Sequence, residues 1–243
     1  MSSSKTGVPA VADPLESLIK SWAATPTAAA APKPVVVAPS PRAPKAPAAK
    51  GAPKSIEEQY RKLTDIEHVL HRPAMYVGST NSRQEDVYLL VDGKFAKTGV
   101  LWNPAFMKIF DEIISNSVDE HRRNPRLNEI RVTVTPSRVT VHDNGGIPVV
   151  KHQVHDQWVP EMIFSNLKAG SNFDDDEERL VAGTNGVGST LTNIFSLEFI
   201  VKTSDGKNRY EQSFRRNMNE RDEAVVNKSR DTGYTEISFV PDL

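Results

Sequence analysis

The sequence predicts an α+β sandwich, a mixed sheet covered by helices on one face. Segments with a 3.6-residue apolar period alternate unevenly with strand-like runs. Neighbouring runs are joined by the tight-turn pairs Asp92-Gly93 and Pro136-Ser137, which mark antiparallel hairpins. From Ser55 to Leu243 the composition is globular and the size supports one real core. No internal repeat is visible.

Residues 1–54 stand apart. They hold 10 of the 17 prolines and 14 alanines. Sequence of the kind running from Pro41 to Lys54 buries too little apolar area to offset chain entropy, so a disordered, extended tether is expected. Within it, Asp13-Pro14 is a helix start, and Leu15, Leu18, Ile19 and Trp22 follow at helical spacing over residues 14–23. That stretch is either a docking helix or a transient apolar patch.

The folded part opens with Ser55-Ile56-Glu57-Glu58, which resembles a capping box, and a helical pattern continues through Ile66, Val69 and Leu70 until Pro73. A hairpin is expected over residues 87–100. Asn103-Pro104 opens a long helix, with Phe106, Ile109, Phe110, Ile113, Ile114 and Val118 in its apolar stripe. Strands are expected at 130–135 and 138–142, and a helix at 159–168. An acidic loop at 174–178 leads to a glycine-rich turn at 183–188 and a helix at 189–195. Strands follow near 197–203, 210–215 and 234–239.

Charge and composition exclude several classes. No apolar run approaches the roughly 18 residues of a membrane span, and the N-terminus lacks the pattern of a secretory signal. With no cysteine there is no disulfide framework and no Cys-ligated zinc, which fits a reducing cytoplasm. Residues 1–54 carry 7 basic against 2 acidic groups, whereas 55–243 carry 23 against 29. Bulk charge therefore does not make the folded part a nucleic-acid surface. In the tail, Lys33, Arg42, Lys45, Lys50 and Lys54 suit either DNA phosphates or a solvated linker. His68, His71, His142, His152 and His155 match no metal-ligand spacing.

Three short constellations carry chemistry. Glu112, Asn116 and Asp119 fall at i, i+4, i+7 on one helix face. A carboxamide oxygen there suits a hard cation such as Mg²⁺ and a carboxylate suits an attacking water, although a solvated amphipathic helix shows the same spacing. Asp143-Asn144-Gly145-Gly146-Ile147 ends a strand in a carboxylate followed by glycines, either a plain turn or an acceptor for an exocyclic amine. Gly183-Thr184-Asn185-Gly186-Val187-Gly188-Ser189-Thr190 precedes a helix and exposes successive backbone amides, a phosphate cradle that is neither a Walker A loop nor a Rossmann fingerprint.

Taken in this order, the three motifs resemble the GHKL ATPase superfamily, and within it the ATPase domain of type IIA DNA topoisomerases. Further strings carry the same resemblance: Glu67-His68-Val69-Leu70-His71-Arg72-Pro73-Ala74-Met75-Tyr76-Val77-Gly78, Lys108-Ile109-Phe110-Asp111-Glu112, and Phe239-Val240-Pro241-Asp242-Leu243. The loop after Asn185 is most similar to the large subunit of tailed-phage topoisomerases. The resemblance covers residues 55–243 and implies the Bergerat fold, a two-layer sandwich with a mainly antiparallel sheet.

It also implies ATP and Mg²⁺ as cofactors. Glu112 would be the general base toward the γ-phosphate, and Asn116 the Mg²⁺ ligand. Asp143 would bind the adenine amine with Thr235 in support, beside Gly145, Gly146 and Ile147. Gly170, Ser171 and Asn172 would meet ribose and phosphates, and Thr184, Asn185, Gly186, Val187, Gly188 and Ser189 would wrap the triphosphate. Tyr60 would sit in an arm reaching the other protomer's nucleotide, or simply pack its own helix. The implied role is the ATP-binding N-gate module, whose ATP-dependent homodimerisation drives passage of double-stranded DNA with subunits carrying transducer, TOPRIM and cleavage domains. The alternative is a standalone nucleotide-binding subunit docking on another topoisomerase.

Three departures accompany the resemblance. The turn Asp143-Asn144-Gly145-Gly146 is one residue shorter than the family's Asp-x-Gly-x-Gly, so a tighter turn is expected. Thr190 stands where eukaryotic relatives carry a phosphate-loop Lys. Relatives continue beyond Leu243 into a transducer whose Gln-x-Lys loop lends a Lys to the γ-phosphate. This chain alone is therefore expected to bind ATP and to hydrolyse it slowly or not at all.

Overall fold

The structure is a computed structural model that describes residues 56–170 and 186–243. The expected tail, the acidic loop, and Ser171, Asn172, Thr184 and Asn185 lie outside the described residues. The compact unit runs from Ile56 to Leu243.

The first helical pattern is two helices. α1 (Ile56–Gln59) ends early, and α2 (Asp65–His71) starts afresh. The break comes from Thr64, whose backbone is extended (φ −69°, ψ 164°). Its hydroxyl accepts from the Glu67 amide at 3.3 Å, and the Glu67 carboxylate accepts from the Thr64 amide at 2.8 Å. A reciprocal pair of this kind satisfies two amide donors at once and defines a helix start. Pro73 ends α2 and opens a 3₁₀ turn, Pro73–Met75.

β1 (Arg83–Val91) and β2 (Lys94–Trp102) form the expected hairpin, longer than its sequence signal. Asp92 and Gly93 both have positive φ, 50° and 75°, the twist that a two-residue turn needs between right-twisted strands. α3 (Pro104–Arg123) follows, capped by Asn103, whose side-chain oxygen accepts from the Phe106 amide at 3.0 Å. His121, Arg122 and Arg123 occupy its last turn, at the negative end of the helix dipole.

The main sheet has seven strands. They are β3 (Ile130–Val134), β4 (Val139–Asp143), β7 (Ser196–Ser204), β8 (Asn208–Arg215), β9 (Glu220–Arg221), β10 (Val225–Lys228) and β11 (Tyr234–Pro241). The order is β10-β8-β7-β11-β4-β3, with β9 against β8, and every described pairing is antiparallel. A small ribbon, β5 (Lys151–His152) with β6 (Gln157–Trp158), leads into α4 (Val159–Ser165). α4 stops short of the expected residue 168, because Asn166 is extended and Lys168 is left-handed at φ 65°. α5 (Gly188–Ile194) packs against α2, α3 and α4 and against β7 and β11.

Strand alternation places the core. In β4, Val139, Val141 and Asp143 are buried, and in β11 so are Thr235, Ile237 and Phe239. These side chains share the face that meets Ile109 and Ile113 of α3 and Leu191 and Ile194 of α5. Phe199, Phe214 and Phe239 fill the centre, the Phe199 ring centroid lying 6.3 Å from that of Phe214 and 6.5 Å from that of Phe239. The parity that buries Val141 and Ile237 therefore carries Asp143 and Thr235 to the same side.

Candidate functional site

A cavity of about 620 Å³ opens between the helices and the β4–β11 half of the sheet. Its floor is apolar, formed by Ile113, Val141, Ile163, Phe164 and Ile237. Its polar groups gather at two ends.

At one end stands Asp143, only 5% exposed. Ser117 donates its hydroxyl to Oδ2 at 2.7 Å, and the Gly145 amide donates to Oδ1 at 2.9 Å. Each carboxylate oxygen keeps a further lone pair. Thr235 lies directly across the β4–β11 ladder from Asp143. Its hydroxyl is 3.2 Å from that of Thr203, which donates to Tyr234 O at 2.8 Å and accepts from the Ile147 amide at 3.0 Å. With its own hydrogen used, Thr203 can only accept from Thr235. Glu120 and Arg123, paired at 3.3 Å, stand on the cavity wall nearby.

At the other end are Glu112 and Asn116, one turn apart on α3, facing the start of α5. Lys108 forms an ion pair with Glu112. Gly188 packs against the Glu112 carboxylate so closely that a Cβ there would overlap Oε2, so the contact requires a residue without a side chain. Asn116 donates its amide to Ser189 Oγ at 2.7 Å, leaving its carboxamide oxygen for another group. Gly186 O accepts from the Ala169 amide at 3.1 Å, which ties together the two sides of the segment between them.

The cavity thus gathers Glu112, Asn116, Asp143, Gly146, Ile147, Gly170, Gly186, Val187, Gly188, Ser189 and Thr235 from the sequence reading. Gly145 is not on the wall. It lies behind Asp143, where a Cβ would come 2.7 Å from Leu127 Cδ1. Tyr60 is 73% exposed and lines no part of this cavity. Thr190 is fully buried and turns to α4, donating to Asn166 O at 3.0 Å.

Sequence reading missed Ser117, Lys108 and Thr203. For Ser117 there was a signal, a small hydroxyl breaking the apolar stripe four residues after Ile113. Thr203 offered none, since its partners arrive through sheet pairing. Among the described residues, no group of three or more His, Asp or Glu side chains is placed to hold a metal ion.

No protein-family model matches the chain. It is 40% identical over 196 residues to DNA topoisomerase 2 of Pisum sativum, an alignment covering 78% of this chain and 13% of the pea protein. Among solved structures, it is similar to the ATPase and transducer domains of DNA topoisomerase II from Balamuthia mandrillaris, with 38% identity and a TM-score of 0.74 over 78% of this chain and 51% of that one. It is also similar to the ATPase region of Saccharomyces cerevisiae topoisomerase II, with 34% identity and a TM-score of 0.72 over 76% of this chain and 51% of that one. The chain spans about an eighth of the length of the pea relative.

Proposed function

Residues 56–243 belong with the ATPase domains of type II DNA topoisomerases, and from that premise we propose that the cavity binds ATP and orients it for hydrolysis. The observation that carries this is the division of polar groups between its ends. A buried acceptor carboxylate, Asp143, lies at one, and a carboxylate, a carboxamide and a glycine-lined backbone lie at the other, with apolar floor between.

Asp143 accepts a hydrogen bond from the exocyclic amine of adenine, held in position by Ser117 and Gly145. The Thr235 hydroxyl supports the same edge. Ile113 and Ile237 offer the purine an apolar bed. Backbone amides near Gly186 and Gly188 suit the phosphates. Asn116 fits Mg²⁺, because its nitrogen is occupied by Ser189 and its oxygen is the kind of ligand a hard cation takes. A magnesium ion held there would neutralise phosphate charge. Glu112 accepts the proton of the attacking water, its carboxylate confined between Lys108 and Gly188.

For the whole protein, we infer that two such modules pair when ATP binds, with Tyr60 in the arm that reaches the other protomer, and that this pairing drives duplex DNA passage. The test is calorimetric titration of the chain with a non-hydrolysable ATP analogue and Mg²⁺. Binding is expected in the wild type and its loss in Asp143→Asn. An absence of affinity in the wild type, or full affinity in Asp143→Asn, would overturn the reading.

A further inference from the structure

The turn that holds Asp143 is clamped on several sides. On its outer flank, the Asn144 side-chain oxygen accepts from the amides of Asn128 and Glu129 at 3.0 and 3.1 Å. In front, Leu127, 1% exposed, lies against Gly145. Behind, Gly233 meets the turn face to face: a Cβ on Gly233 would overlap the Gly145 carbonyl oxygen and come 3.5 Å from Ser204 O. Gly146, at φ 110°, is tighter still: a Cβ there would come 2.3 Å from Ser204 O and 3.2 Å from Gly233 Cα and Tyr234 N. The three atoms nearest to a Cβ at Gly233 are all backbone and cannot swing aside. Gly233 itself is outside the left-handed region, so what demands glycine here is space and not its own dihedrals.

We propose that Gly233 is a positioning residue for purine recognition, a reading that rests on ATP binding at Asp143. With no side chain at 233, the start of β11 lies flat on the turn, and Gly145 sits where its amide reaches Asp143 Oδ1. The same close approach sets Thr235, two residues on, beside that carboxylate. Gly233 touches no ligand. It fixes the orientation of the carboxylate that tells a 6-amino purine from a 6-oxo purine.

The test compares ATP with inosine triphosphate, which carries oxygen in place of the amine, by calorimetric titration of the full chain. The wild type is expected to prefer ATP. In Gly233→Ala the ATP to inosine triphosphate affinity ratio is expected to fall about tenfold, the scale of one hydrogen bond to a charged group. Affinity for inosine triphosphate should stay near its wild-type value, since the phosphate end is untouched. An equal loss for both nucleotides, or an unchanged ratio, overturns the assignment. Should Gly233→Ala not fold, Leu127→Ala releases Gly145 from its opposite side and must lower the ratio in the same direction. A wild-type ratio in Leu127→Ala then overturns the assignment. A wild type that binds neither nucleotide sinks the ATP reading itself, and is thereby distinguished from failure of the Gly233 role alone.

Discussion

Ser117 of α3 and Asp143 of β4, 26 positions apart in the chain, share a buried hydrogen bond of 2.7 Å. It joins the helical layer to the sheet at the purine end of the cavity. Removing the hydroxyl leaves Asp143 with the Gly145 amide as its described partner. Ser117→Ala is therefore expected to weaken ATP binding by about one to two orders of magnitude, since a hydrogen bond to a charged acceptor contributes about 1.5–3 kcal/mol. Calorimetric titration checks this, and Asp143→Asn should cost more.

Gly188 is the corresponding tight point at the phosphate end. Gly188→Ala displaces the Glu112 carboxylate, whose Oε2 and Cδ would overlap the added methyl, and the side chain has the adjoining cavity to turn into. The main loss is therefore expected in nucleotide hydrolysis by the whole enzyme, with stability in urea unfolding lowered by no more than about 1 kcal/mol. Gly99→Ala is the comparison: its nearest neighbour would be 3.7 Å away, and it should change little by crowding.

Thr64 starts α2 through its reciprocal bonds with Glu67. Thr64→Ala removes the side-chain half of that pair and is expected to cost about 1 kcal/mol, again read from urea unfolding. Both groups are exposed, so the loss should not propagate to the nucleotide site. ATP affinity measured alongside should stay at the wild-type value.

Asp205 links the β7–β8 turn to Val149. Burial pushes its carboxyl up, but amides of Asn208, Lys207 and Val149 together outweigh that and hold it below its ordinary 3.8. A depressed folded value means that Asp205 stabilises the protein above the unfolded value. That contribution is lost as pH falls through the folded one. Asp205→Asn should therefore be less stable than wild type at neutral pH, and the gap should narrow below about pH 4. Urea midpoints at pH 7 and pH 3 test this.

Much of this architecture is legible in the residues. Asn103-Pro104 marks the start of α3, Asp92-Gly93 the first hairpin, and the alternation in Val139, Val141 and Asp143 the buried face of β4. Glu112, Asn116 and Asp143, singled out from two separate motifs, line one cavity. The helical break before Asp65 also has a signal in the residues, the Thr64-x-x-Glu67 spacing of a capping box, which the apolar period running on to Leu70 overrides. β5, β6 and β9 have two residues each, too few to show any period. Gly233 was silent because its significance lies in what it faces, a turn 88 residues earlier in the chain.

Pairing of β11 with β4 on one side and β7 on the other has a consequence for how this segment can change. Because side chains alternate along a strand, sliding β11 by one residue would turn Thr235 and Ile237 to the outer surface and drive Glu236 and Ser238 inward. Length changes in the stretch joining β10 to β11 are thus acceptable only where they are absorbed before Gly233. From that glycine onward, odd and even positions are not interchangeable.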